Sequence, residues 1–152
     1  MKFIKGCFIC IFLLLSRDAY SVCDVSATGI NFGTYESSSP VPLDSTGTLT
    51  IDCDESPPPV VTVSLGPSGT SGMFNPRQMS TSYYPDLMNY NVFTDSSMGT
   101  IWGDGTSGTA IILTPKVTKN KPFGTVIYAR VPAGQNLPIG TYSDTLTVTI
   151  IW

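Results

Sequence analysis

The chain contains no histidine. That excludes the Ser-His and Cys-His nucleophile arrangements and most transition-metal sites. Basic residues are few, with eight lysines and arginines against eleven acidic residues. An acidic chain argues against nucleic acid and anionic membrane as partners, because both need a basic surface. Long apolar runs are absent apart from residues 6–15, GCFICIFLLL, which are too short to span a bilayer. Helical periodicity is missing as well. The 14 glycines and 12 prolines are spread along the whole chain, and they separate short alternating runs of the kind that build an antiparallel all-β sandwich.

The short apolar run belongs to a secretory signal of the Sec type. Lys2 and Lys5 form its basic start, and Ala19 and Ser21 sit at the −3 and −1 positions of a small-residue cleavage site. The expected division is a signal peptide at 1–21 and one domain at 22–152. Loss of Lys2, Lys5, Arg17 and Asp18 with the signal leaves five basic and ten acidic residues, a net charge of −5. Cys7 and Cys10 leave too. Cys23 and Cys53 remain, and in an oxidising compartment they are expected to form a disulfide. A free reactive thiol is the competing reading.

What is present is alternation. Runs at 23–35, 47–53, 60–65, 87–94, 109–114 and 125–131 read as strands, separated by Gly/Pro/Ser/Thr turns. Leu49, Ile51 and Cys53 share one parity, as do Met88, Tyr90 and Val92. Gly29 and Gly33 predict a bend in the first run. Residues 66–85 read as a long irregular linker. The strongest signal is the last eleven residues, 142–152. Tyr142, Leu146, Val148, Ile150 and Trp152 fall on one face, and Ser143, Thr145, Thr147 and Thr149 on the other. Asp144 interrupts the apolar face. A strand of this quality at an edge is a liability that proteins cover.

Several motifs invite chemical readings. Residues 103–108, GDGTSG, match G-x-G-x-x-G, but the strand-like TAIIL that follows fits a loop rather than a dinucleotide site. Lys116, Lys119 and Lys121 read as an exposed turn rather than a Ser–Lys catalytic pair. Asp52, Asp54 and Glu55 read as a polar strand end rather than an acid/base pair or a calcium loop. No catalytic residue, cofactor or metal site is expected. Phe74, Tyr83, Tyr84 and Trp102 lie in irregular segments, where they either form a surface-binding patch or cap the core.

Several pieces fall in a fixed order: Cys23 followed by Asn31-Phe32-Gly33, then Cys53, then Tyr90-Asn91-Val92-Phe93 with Asp95 just after, and last Gly140-Thr141-Tyr142-x-Asp144-x-Leu146-x-Val148-x-Ile150-x-Trp152. Taken together, they resemble the spore coat protein U family, which includes subunits of archaic chaperone–usher pili. The resemblance implies an incomplete immunoglobulin-like β-sandwich that lacks its last strand. It also implies a structural subunit of a surface pilus or coat, active in adhesion or biofilm rather than as an enzyme. A donated strand would complete the fold, in an acceptor groove bordered by Tyr142, Leu146, Val148, Ile150 and Trp152. The implied partners are a periplasmic pilus chaperone, an outer-membrane usher and other pilin subunits. The implied route is through the periplasm to the cell surface, without membrane insertion after signal cleavage. A cut before Val22 leaves one residue ahead of Cys23, so the subunit is expected to accept a strand and not to donate one. The alternative is a tip adhesin that binds through its loop aromatics.

Overall fold

A computed structural model describes residues 22–54 and 57–152. The expected signal peptide and Glu55 lie outside the described residues. Eight strands form: β1 (Cys23–Ala27), β2 (Leu43–Cys53), β3 (Val60–Leu65), β4 (Arg77–Met79), β5 (Met88–Phe93), β6 (Ile112–Lys116), β7 (Phe123–Val131) and β8 (Val148–Ile151). They make one five-stranded sheet in the order β1-β2-β7-β5-β4 and one three-stranded sheet in the order β6-β3-β8. The ladders are antiparallel.

Alternation decides which side chains face inward. Leu49, Ile51 and Cys53 of β2 are buried, while Thr48, Thr50 and Asp52 between them are exposed. Val61, Val63 and Leu65 of β3 face them from the other sheet, with Ile127, Ala129 and Val131 of β7 beside β2. The Cys23–Cys53 disulfide is formed, and the two residues are directly opposed in the β1–β2 register. It crosses the first pair of that hairpin.

Several elements differ from the sequence reading. β2 begins at Leu43 rather than Gly47, because Leu43 pairs with Val131 and Asp44 with Arg130 across the sheet. The Arg130 guanidinium holds both carboxylate oxygens of Asp44, at 2.6 and 2.8 Å. β1 stops at Ala27. Beyond it the regular ladder ends, though Thr28 and Asn31 still bond to Thr48 and Ser45 of β2, and residues 28–35 turn Ile30, Phe32 and Tyr35 against the core. The expected bend includes Gly33, which has a φ of +74°. Lys116 ends β6 instead of lying in a turn, and Lys119 pairs with Asp54. The stretch 66–85 contains a real strand, β4, paired with β5.

Residues 103–108 form a closed turn. Gly105 and Gly108 have φ values of +86° and +76°, and the Asp104 carboxylate accepts from the Thr106 amide and hydroxyl. A Cβ on Gly103 would collide with the Thr109 side chain. The glycines serve this turn, and a strand segment follows them.

Candidate functional site: an open seam beside the last strand

β8 pairs with β3 on one side and with no strand on the other among the described residues. Ahead of it, residues 142–147 continue in the extended sense without a regular ladder. Ser143 exchanges backbone bonds with Ser80. The carbonyls of Thr145 and Thr147 accept from the amides of Gly69 and Gly66. Gly69 has no alternative here, because a Cβ on it would lie 2.8 Å from the Thr145 carbonyl oxygen. The 66–69 turn therefore substitutes for a partner strand. Alternation persists throughout: positions 142, 144, 146, 148 and 150 are half-buried and the residues between them exposed.

Next to this strand lies a cleft of about 800 Å³. Tyr142, Leu146 and Val148 form one wall, and Ile30, Phe32 and Tyr35 the other. Leu65, Met88, Tyr90, Val92 and Ile127 lie along its floor. The sequence-predicted groove set thus divides. Tyr142, Leu146 and Val148 line the cleft. Ile150 packs against the core further along, and Trp152 is half exposed at the chain end.

Asp144 shares the inward parity, and the structure accounts for it. Its Oδ2 accepts from the Tyr90 hydroxyl at 2.7 Å. Its Oδ1 accepts from the Thr70 amide and hydroxyl and from the Thr145 amide. Burial pushes the Asp144 carboxyl up, but its donors outweigh burial and hold it below the ordinary value. Burial, reinforced by the Asp144 carboxylate, raises the Tyr90 phenol far above its usual range.

Arg77 was not singled out by sequence reasoning, yet it is fully buried. Its guanidinium donates at 2.8 Å each to the Asn91 side-chain oxygen, the Gly66 carbonyl and the Trp102 carbonyl. It also sits 5.5 Å from the Phe74 ring centre. Burial lowers its pKa, and Tyr90 and Asp144 work against that. The only sequence signal was its place in a stretch too apolar to be wholly solvated.

The loop aromatics do not act as one group. Trp102 is 0% exposed, and its indole N–H donates to the Val63 carbonyl. It is a core residue and cannot serve as a surface contact. Bridges to Phe93 and Ala110 bring residues 101 and 102 into the sandwich. Phe74 is half-buried beside Arg77. Tyr83, 78% exposed, and Tyr84 remain at the surface.

Two antiparallel sheets, a disulfide across the first hairpin and an uncovered last strand define an all-β sandwich open along one seam. The chain belongs to the Spore Coat Protein U domain family, whose model matches residues 12–149. It is 33% identical over 129 residues to Protein U of Myxococcus xanthus, covering 80% of this chain and 70% of that protein. Among solved structures, it is similar to a chain of a complex from Acinetobacter baumannii. That structure is the CsuC–CsuE chaperone–tip adhesion subunit pre-assembly complex from archaic chaperone–usher Csu pili. The TM-score is 0.59 at 24% identity, over 87% of this chain and 40% of that one. This likeness bears on the fold, and the chain spans about two fifths of the matched chain's length.

Proposed function

We propose that the protein is an exported structural subunit of a surface pilus or coat, completed by a strand from another polypeptide. The observation that carries this reading is the β8 edge. Its outer side has no partner among the described residues, and it borders a cleft walled by residues 142–148 on one side and by the segment that follows β1 on the other. A strand laid there would pair with the free edge and bury alternate side chains on Leu146 and Val148. Tyr142, Ile150 and Trp152 extend the same acceptor strand at its two ends.

The partners in this reading are proteins: a periplasmic chaperone that holds the seam during export, an outer-membrane usher, and a further subunit. The signal at 1–21 directs export, and residues 22–152 form the mature domain on its way through the periplasm to the surface. Family membership and the likeness to a chain of a chaperone–subunit complex support it. A tip-binding role is the second reading. Exposure of Tyr83 and Tyr84 favours it, although burial removes Trp102 from that patch.

The test is the protein's oligomeric state and melting temperature, alone and with strand peptides of alternating apolar residues. Instability or self-association alone, cured by one peptide, is the expected result. A stable monomer indifferent to every peptide sinks the proposal.

A further inference from the structure

The cleft has a distinctive end. At the Tyr142 end its lip is made by Pro138, Ile139 and Gly140, and the loop 81–87 runs between two residues that line the cleft, Met79 and Met88. The Ser80–Ser143 pairing and the close approach of Gly140 to Thr81 bring the two segments together. Ile139 is 99% exposed, and Tyr83, Tyr84 and Leu87 add further exposed apolar surface. Such a cluster beside an unfilled cleft needs a partner surface more than scattered apolar residues do.

Charge at this end is one-sided. Among the described residues, the cleft lining holds a single charged side chain, Asp144. Its oxygens are already engaged by Tyr90, Thr70 and Thr145. Asp86 in the 81–87 loop is exposed. It is outside the two ion pairs formed among the described residues, Lys119–Asp54 and Arg130–Asp44. Asp86 lies two residues before Met88, which lines the cleft, and at the other end of the loop Ser80 pairs with Ser143, next to Tyr142. Burial raises the Tyr142 phenol, and Asp86 and then Tyr84 add to it. Among the described residues, no cation lines the cleft to balance them.

We infer that the lip of Tyr83, Tyr84, Asp86 and Ile139 is a second contact for the strand-donating partner, and that it takes a basic side chain. This side chain lies just past the strand residue that packs on Tyr142. There it meets the Asp86 carboxylate and the faces of Tyr84 and Tyr142, a pairing that combines an ion pair with cation–π attraction. The apolar part of the lip packs on the stem of the same side chain. The inference rests on the strand-acceptance reading, and it adds a charge requirement at one end of the incoming strand. It also assigns Tyr83 and Tyr84 to assembly. A role for them in attachment to other surfaces becomes the alternative outcome.

The test uses the full chain, expressed with its own N-terminus in an exporting host and purified with its disulfide intact. The probes are alternating Val/Thr peptides of about nine residues, a usual strand length. Each carries lysine, norleucine or glutamate at one end or the other. One lysine placement is expected to bind roughly tenfold tighter than its glutamate counterpart at low salt, as one rim ion pair with an aromatic contact predicts. High salt should narrow the gap. Asp86→Asn and Tyr84→Ala should each bring the lysine peptide down toward the norleucine one. Equal binding of all three peptides overturns the inference while leaving strand acceptance intact. A lysine preference that survives Asp86→Asn overturns it too. If no peptide binds, strand acceptance fails and the inference falls with it.

Discussion

The Tyr90 hydroxyl donates to the Asp144 carboxylate across 2.7 Å, joining β5 of the five-stranded sheet to the approach of the last strand. It spans the sandwich beside the open cleft, where no ladder holds residues 142–147. Removing either partner should loosen that strand. Tyr90→Phe should cost about 1–3 kcal/mol, the usual range for a buried bond to a charged group. Asp144→Ala should cost at least as much, because it also frees the Thr70 amide and hydroxyl. Denaturant unfolding of both single variants and the double variant measures the coupling. Simple additivity would show that the bond does not hold the strand.

Asp144 also sets a pH dependence. Its carboxyl is held below the ordinary value in the folded protein. The associated stability is therefore present at neutral pH and is lost as the pH falls below about 4, where the unfolded chain takes up its proton first. Unfolding free energy should drop steeply through that range, and Asp144→Asn should flatten the slope. An unchanged slope would shift the acid sensitivity to other carboxylates. Asp95 is one of these: the Ser97 hydroxyl and the amides of Gly99 and Thr100 hold it down to about 2.

Arg77→Met should be markedly destabilising, by about 3 kcal/mol. It strips the donor from the Gly66 and Trp102 carbonyls and from Asn91 and leaves buried acceptors unpaired. Arg77→Lys should rescue little, since one ammonium cannot reproduce a planar fork reaching three acceptors. Thermal unfolding of both variants decides it. A lysine variant as stable as the parent would mean that charge alone matters.

The disulfide closes a loop between residues 30 apart. Cys53→Ser should lower stability by roughly 3–4 kcal/mol in the chain-entropy account. Reductant should do the same to the parent protein and nothing further to the variant. A melting temperature insensitive to reductant would count against this contribution.

Leu146→Asp places a charge in the apolar wall of the cleft. It should abolish stabilisation by strand peptides, whereas Thr147→Ser on the exposed face should not. Peptide titrations of the two variants separate a groove effect from general damage. Retained peptide response in Leu146→Asp would remove this wall from the binding site.

Strand periodicity explains what could be read from the sequence. Where a strand is half-buried with one apolar parity, as in β2, β3 and β5, alternation marked the inward face correctly. In β7 both parities carry apolar residues, and only the structure shows that Ile127, Ala129 and Val131 turn inward. It also marked the inward parity of 142–150, although regular pairing there is confined to Val148–Ile151. β4 stayed hidden because three residues carry no period and its anchor is an arginine, a residue type seldom buried. The Arg77 acceptors are two backbone carbonyls and one asparagine, and backbone groups leave no trace in composition. Trp102 was ambiguous for a related reason. Its own bridge is to Ala110, and Ile101 beside it bridges Phe93 at the end of β5, so its burial depends on pairings between segments distant in sequence. The cleft was legible on its Leu146 and Val148 side, and less so where Ile30 and Phe32 leave the β1 ladder to form the opposite wall.

The placement of the disulfide has a mechanical consequence. Among the described residues β1 is an edge strand paired only with β2, and its first residue, Cys23, is bonded to the last residue of β2. Tension applied ahead of Cys23 would otherwise peel β1 away one pair at a time, the weakest way to load a hairpin. The covalent link diverts that tension into β2. β2 in turn is backed by nine residue pairs with β7, from Leu43–Val131 to Ile51–Phe123. Tugging at this end therefore strains the middle of the larger sheet, and the wall of the seam that follows β1 keeps its shape under load.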